Sequence, residues 1–203
     1  MTGVETPAPL PREAMTARQL ARRARLLEAV VEIVTEVGPH ALQMREVAER
    51  SGVALGTAYK YFRSREQLLA AALAEWQQPL MQRMAAAGRT TEAGPSELVA
   101  AYLRRALRAF HRNPHMGALM VLMQTSGDPD VVETLAEMGT RSTAVMEQLL
   151  DGLPPETVPV VGRGLEAVLM NAVTALVTGR ATLDEAVERV EAVARLLLAG
   201  ATA

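Results

Sequence analysis

The 203-residue chain contains no cysteine. That removes disulfides, thiolate metal sites, iron–sulfur clusters and cysteine nucleophiles together. Aromatic residues are scarce: two Phe, three Tyr and one Trp. An interior must therefore be assembled from Ala, Leu, Val and the 11 Met. Lysine is nearly missing too, since Lys60 is the one cation of 21 that is not arginine. The longest apolar runs, such as Ala172–Val177 with Leu169 and Met170 just before it, fall well short of a bilayer span. Met1–Pro11 is proline-rich and lacks the apolar core of a signal peptide. A soluble, cytoplasmic protein with no membrane association is expected.

Charge is close to balanced overall, at −2, but unevenly spread. Residues 1–65 hold ten basic and seven acidic side chains, and the remainder holds eleven basic and sixteen acidic. A basic front on an acidic remainder fits a polyanionic partner at the front end.

No stretch alternates polar and apolar residues between hairpin signals, whereas helical spacing recurs throughout. Leu20, Ala24, Leu27, Val31 and Val34 form a first stripe, ended by Gly38-Pro39. Two short helices are expected near Met44–Ser51 and Leu55–Phe62, separated by Gly52. Ser64-Arg65-Glu66-Gln67 reads as a capping box that opens a long helix to about Gly88. Ser96 reads as the cap of a helix whose buried stripe is Leu103, Ala106, Leu107 and Phe110. Asn113-Pro114 breaks it. Further helices are expected over Pro114–Thr125, Pro129–Leu150 and Pro155–Thr178. Thr182-Leu183-Asp184-Glu185, a second capping box, starts the last, with Leu183, Ala186, Val190, Val193 and Leu197 along one side. The expected fold is all-α with about nine helices.

The front helices have the build of a helix-turn-helix. Its turn must be tight, hence Gly52. The second helix must offer small or polar groups where it enters the major groove, and Gly56 and Thr57 suit that. Thr57 can donate to a phosphate or touch a thymine methyl, and Arg45 can bind a guanine edge bidentately. Tyr59 and Tyr61 bring hydroxyls for phosphates, and Lys60 a point charge. Val47, Ala48, Val53, Ala58 and Phe62 read as the core of this module.

The run Leu42–Phe62 and its tail Arg63-Ser64-Arg65-Glu66-Gln67-Leu68-Leu69 resemble the TetR-family DNA-binding motif. The specific part is Gly-Thr-x-Tyr-x-Tyr-Phe (56–62) followed by a Ser-cation-Glu-x-Leu cap. The resemblance is strong over residues 18–80 and architectural beyond. It implies a dimeric repressor whose ligand-binding body controls DNA affinity. By position it implies Gln43 and Arg45 at the first short helix, Leu55, Gly56 and Thr57 at the groove-facing helix start, and Tyr59, Lys60, Tyr61 and Arg65 near phosphates. Gln43 replaces the usual Thr cap, Ala54 a frequent Ser, and Arg65 the commoner Lys. Gln43-Met44-Arg45, Val53-Ala54-x-Gly56-Thr57, the Arg112-Asn113-Pro114 break and the tail Arg189–Leu197 are similar to the KstR-like branch of actinobacterial cholesterol-catabolism repressors. That branch implies a steroid or acyl-thioester effector.

The implied organisation is a disordered tail (1–15), a helix-turn-helix domain (16–63, with the start of the 64–88 helix), and an effector-binding and dimerisation domain (64–203). Candidate pocket walls are Leu103, Leu107, Met116, Met120, Met123, Met138 and Met170, because methionine adapts to varied ligand shapes. Gln124, Asn171 and Thr174 are candidate polar anchors within apolar stretches. Arg104, Arg108 and Arg112, four apart, read either as a docking strip for an anionic ligand or as a solvated face. The last two helices (about 155–199) carry long apolar stripes, suited to a four-helix homodimer interface.

Rival signals are weaker. His111 and His115 are four apart, but Pro114 breaks the register and no third ligand is near. Gly162-Arg163-Gly164-Leu165-Glu166-Ala167 imitates a dinucleotide fingerprint without a βαβ frame. Asp128 and Asp130 look like turn and cap residues. No catalytic constellation and no cofactor are expected. The leading expectation is a non-enzymatic regulator that binds double-stranded DNA at a palindromic operator and is released by a hydrophobic small molecule. A repressor controlled by a protein partner is the alternative, and a helical enzyme the more distant one.

Overall fold

The computed structural model describes residues 12–88 and 94–201. Among them are nine α-helices and no strand: α1 (Ala17–Val37), α2 (Met44–Ser51), α3 (Leu55–Tyr61), α4 (Arg65–Gly88), α5 (Pro95–Arg112), α6 (Pro114–Gln124), α7 (Pro129–Leu149), α8 (Val158–Val177) and α9 (Leu183–Ala201). Most of the expected disordered tail, and most of the expected loop after Gly88, lie outside the described residues. Arg12–Ala14 form one 3-10 turn.

The helix ends follow local chemistry. Thr16 and Gln19 form a reciprocal capping box at the start of α1, a signal absent from the expectations above. Ser64 Oγ accepts from the Gln67 N–H at 2.9 Å, while Gln67 Oε1 reaches one residue further back, to the Arg63 N–H. The Thr182–Glu185 box forms as expected. Asp128 caps α7 by accepting from the N–H groups of Asp130 and Val131. Ser96 does not cap α5. That helix starts two residues earlier, with Gly94 at the cap and Pro95 in the first turn, where proline's missing donor costs nothing.

Two buried stripes match their expected positions only in part: Leu27 and Val34 of α1 and Ala186 and Val190 of α9 are buried as expected, and the rest are not. In α1 the inward residues are Leu26, Leu27, Val30, Ile33 and Val34, while Leu20 and Ala24 face out. In α9 they are Ala186, Val190, Ala194 and Leu198, one turn-face around from Val193 and Leu197. Both helices carry apolar residues on two adjoining faces, so periodicity alone could not choose between them.

A continuous apolar core runs from α1 through Leu68, Leu69, Ala72 and Leu73 of α4 into the body, where Leu103, Leu107, Met116 and Leu119 are fully enclosed. Each such leucine contributes about 2 kcal/mol by leaving water. The front three helices are thus rooted in the body by α4. By length and composition α8 is apolar enough to cross a membrane, contrary to the expectation that every run falls short. It nevertheless carries Arg163 and Glu166, and it buries Val161, Leu165, Ala172 and Val173 against the other helices.

Candidate nucleic-acid interface and effector cavity

The turn between α2 and α3 is set by Gly52, at φ +63°, in the left-handed region that glycine enters without strain. Its N–H donates to the Ala48 and Glu49 carbonyls. The Val53 N–H donates to the Ala48 carbonyl and to Ser51 Oγ. Ser51 is itself buried, and its hydroxyl donates to the Ala48 carbonyl, so the turn is closed by three linked bonds. Val47, Ala48, Val53, Ala58 and Phe62 form the buried side of the module, as expected. The Arg23 guanidinium sits over the Phe62 ring, 5.2 Å from its centroid.

Arg50 fastens α2 to α1. It lies 2.7 Å from Glu36 and 3.0 Å from Glu46. The hydrogen bond from Arg50 holds the Glu36 carboxyl below its ordinary pKa. Both partners face water, so the pair positions the helices more than it stabilises them.

The sequence-predicted DNA residues divide into two groups. Gln43, Arg45, Gly56, Tyr59 and Lys60 are exposed, and Leu55 and Thr57 are half-buried, at the starts and outer faces of α2 and α3. Gln43 stands at the N-terminus of α2 without a side-chain capping bond, which leaves its amide uncommitted to the helix. Gly56 differs from Gly52: its φ is not positive, and a Cβ built there would meet nothing within 4 Å.

Tyr61 and Arg65 fall elsewhere. Tyr61 is 6% exposed and packs in the core. Arg65 donates from Nε to the Leu42 carbonyl at 2.9 Å and from Nη2 to the Pro39 and His40 carbonyls, and it pairs with Glu66 at 3.2 Å. Its guanidinium is spent clamping the α1–α2 loop to the start of α4. The planar fork of arginine suits three convergent carbonyls, which rationalises arginine where lysine is commoner.

Two further links join module and body. His115, at the start of α6, places Nδ1 2.9 Å from the Thr35 carbonyl at the end of α1. Arg63, just after α3, lies 3.8 Å from Asp130 in the first turn of α7. Asp130 therefore joins module to body, beyond the turn-and-cap role expected of it.

The body holds a cavity of about 710 Å³, partly open to solvent, among α4, α5, α6, α7 and α8. Of the expected lining, Met120, Gln124, Met138 and Met170 border it. Leu103, Leu107, Met116 and Met123 do not; they are closed into the surrounding core. Asn171 is exposed, and the Thr174 hydroxyl donates to the Met170 carbonyl of its own helix. The arginine strip does not face the cavity either: Arg104 pairs with Glu191 of α9 at 3.0 Å, and Arg108 and Arg112 are exposed.

Missed in the sequence were Tyr102, Arg141, Ser142, Arg163 and Glu166, which supply much of the cavity's polarity. Tyr102 neighbours the predicted α5 stripe, and an aromatic hydroxyl beside a buried leucine was the available signal. Burial raises the Tyr102 phenol pKa and the Glu166 charge adds to this, while a hydrogen bond with Ser142 opposes it. Trp76 of α4 packs on Phe110, with ring centroids 5.4 Å apart, and Phe110 borders the cavity. The glycine-rich Gly162–Ala167 segment lies within α8, with no strand before it.

Comparison with known proteins agrees with this geometry. Residues 26–72 match the model of bacterial regulatory proteins of the tetR family. The HTH-type transcriptional repressor KstR of Mycolicibacterium smegmatis is 30% identical over 184 residues, covering 89% of this chain and 88% of that protein. A TetR transcriptional regulator from Rhodococcus sp. RHA1 superposes with a TM-score of 0.74 at 26% identity, over 91% of this chain and 98% of that one. The regulator FadR of Bacillus subtilis, solved with stearoyl-CoA, shares the fold with a TM-score of 0.67 at 20% identity, over 87% and 98% of the two chains. The partly exposed short helix α3, the glycine turn and the helical body occur together in a chain that belongs to the TetR family of DNA-binding transcriptional regulators, and not to a family of enzymes.

Proposed function

We propose that this protein is a dimeric repressor that holds a palindromic operator through α3 and releases it when a hydrophobic small molecule enters the body cavity. It acts in the cytoplasm, where the chromosome lies. The observation that carries the DNA half is Gly56. Neither backbone strain nor crowding requires glycine there, and glycine weakens a short helix by roughly 0.5–1 kcal/mol relative to alanine. What glycine provides is close approach of the α3 backbone to a surface outside the chain. The observation that carries the effector half is the 710 Å³ cavity against α4, a volume suited to one lipid- or steroid-sized molecule.

In this reading Gln43, Arg45, Leu55 and Thr57 face base edges, and Tyr59 and Lys60 face phosphates. Arg65 and Tyr61 hold the reader in shape from within. Arg45→Ala is expected to cost on the order of 1–3 kcal/mol at one base position only. Lys60→Ala is expected to weaken all duplexes alike and to reduce the salt slope by about one. Fluorescence anisotropy on an operator recovered by selection from random duplexes, and on its single-base variants, separates the two behaviours. A uniform loss in Arg45→Ala would make that residue a backbone contact.

Two readers must sit about one helical turn apart, roughly 34–36 Å, to meet both half-sites. The apolar side chains left in water on α8 and α9, Val160 at 64% and Leu196 at 75% exposure, support a two-fold interface built from these helices. Leu196→Glu is expected to convert the dimer to a monomer in sedimentation and to abolish operator binding. A dimer that persists would move the interface elsewhere.

Ligand acts only through unequal affinity for the two states. Gln77, Gln78 and Met81 of α4 border the cavity, and the same helix begins at the Arg65 clamp on the reader. Ligand pressing on α4 changes the tilt of the reader and hence the spacing of the pair. Selection of an operator, followed by its titration with steroids, fatty acids and acyl-CoAs, tests both halves. No preferred duplex would defeat the first, and no effect of any of these ligands on operator affinity would defeat the second.

A further inference from the structure

Among the described residues, the walls of the cavity leave one polar atom without a partner and a second poorly matched. Glu166 of α8 has a buried oxygen, Oε1, with no hydrogen-bond partner among the described residues. Arg141 and Arg163 also border the cavity, but both are exposed, and Arg141 pairs with Glu137 at 3.3 Å. Tyr102 of α5 is 4% exposed and shares a hydrogen bond with Ser142 of α7. The acceptor facing its hydroxyl is the Met81 thioether at 3.9 Å, which is weak and distant. Glu166 is close enough that its charge acts on that phenol. One side of the cavity thus holds an acceptor with no donor and a donor with a poor acceptor.

A buried acceptor left unmatched is costly, so the occupant should supply what is missing. An ammonium group donates but cannot accept. A ketone accepts but cannot donate. A carboxylate would face Glu166 across a medium of low dielectric. A hydroxyl does both tasks. We propose that the cavity selects an apolar molecule carrying a hydroxyl group, whose O–H donates to Glu166 Oε1 and whose oxygen accepts from the Tyr102 phenol. The proposal rests on the effector reading above and gives it a chemical class.

The test uses Trp76, the single tryptophan, as the reporter beside Phe110. The full-length protein is titrated with decan-1-ol, decanoate and decylammonium, and with 5α-androstan-3β-ol and its 3-ketone. The parent is expected to bind each alcohol about tenfold more tightly than its partners. Glu166→Leu should weaken alcohol binding about tenfold and tighten decanoate, and Tyr102→Phe should weaken the alcohols by a smaller factor. Glu166→Gln, which keeps the shape and removes the charge, guards against misfolding and should still raise decanoate relative to decanol. A parent that binds decanoate, decylammonium or the ketone as well as the alcohols, or a Glu166→Gln protein with unchanged preferences, would overturn the hydroxyl assignment while leaving an effector cavity. If none of the five probes binds the parent, the effector reading falls and this inference falls with it.

Discussion

Replacing Arg65 with alanine is expected to lower the stability of the fold by about 2–4 kcal/mol, since charge-assisted hydrogen bonds are the strong ones and several are lost together. The carbonyls of Pro39, His40 and Leu42 lose their shared donor, and the loop leading into α2 is released from α4. Water repairs part of the loss because the side chain is 28% exposed, which keeps the figure below the sum of the separate bonds. For a chain of this size the melting temperature should fall by roughly 2–4 °C per kcal/mol. Arg65→Lys should recover only part of this, because one ammonium cannot span three carbonyls. A phosphate contact behaves differently: its loss would reduce the salt slope of DNA binding by about one and leave the melting temperature alone. Calorimetry together with a salt titration therefore separates the two roles, and an unchanged melting temperature would refute the clamp.

Gly56 should give opposite signs in two assays. Gly56→Ala is expected to raise stability by up to about 1 kcal/mol, since alanine loses less backbone freedom and no atom within 4 Å opposes a Cβ. The same change should weaken operator binding about tenfold, and Gly56→Val on the order of a hundredfold, because a side chain there holds α3 off the groove floor. Thermal melts and anisotropy on one preparation measure both. A Gly56→Ala protein that binds its operator as well as the parent would show that α3 does not approach DNA at this position.

The reading module was largely legible in the sequence because its constraints are local. A left-handed turn needs Gly52, Val47 and Ala58 fall at inward positions of the two short helices, and Val53 in the turn and Phe62 at the end of α3 close the same buried side. The burial of Tyr61 was not legible, because a tyrosine serves core and surface equally and only the packing of α3 settles which. The carbonyl contacts of Arg65 were not legible, because those carbonyls lie more than 20 positions earlier and leave no residue-type signature. The body was legible as helices but not as a cavity. Met120 lines the space and Met116, one turn away on α6, does not, yet the two are alike in type and spacing. Whether an inward side chain meets a neighbour or a void depends on how five helices lean together. Glu166 was met only inside the segment that imitates a dinucleotide fingerprint, and nothing in its spacing marks one carboxylate oxygen as buried.

Pro79 sits inside α4, within the stretch that walls the cavity: Ala74, Gln77 and Gln78 lie on the reader's side of it, and Leu80, Met81 and Gln82 beyond it. Proline has no N–H, so the helix is missing the rung that would tie residue 79 back to the Glu75 carbonyl, and the ring pushes that carbonyl aside. The helix is thus two rods with a soft joint rather than one stiff lever. Displacement begun on the far side of Pro79 is partly absorbed as bending before it reaches Arg65. Stiffening that joint with alanine would transmit more of each displacement, making the regulator more sensitive to a given occupant and less tolerant of imperfect ones.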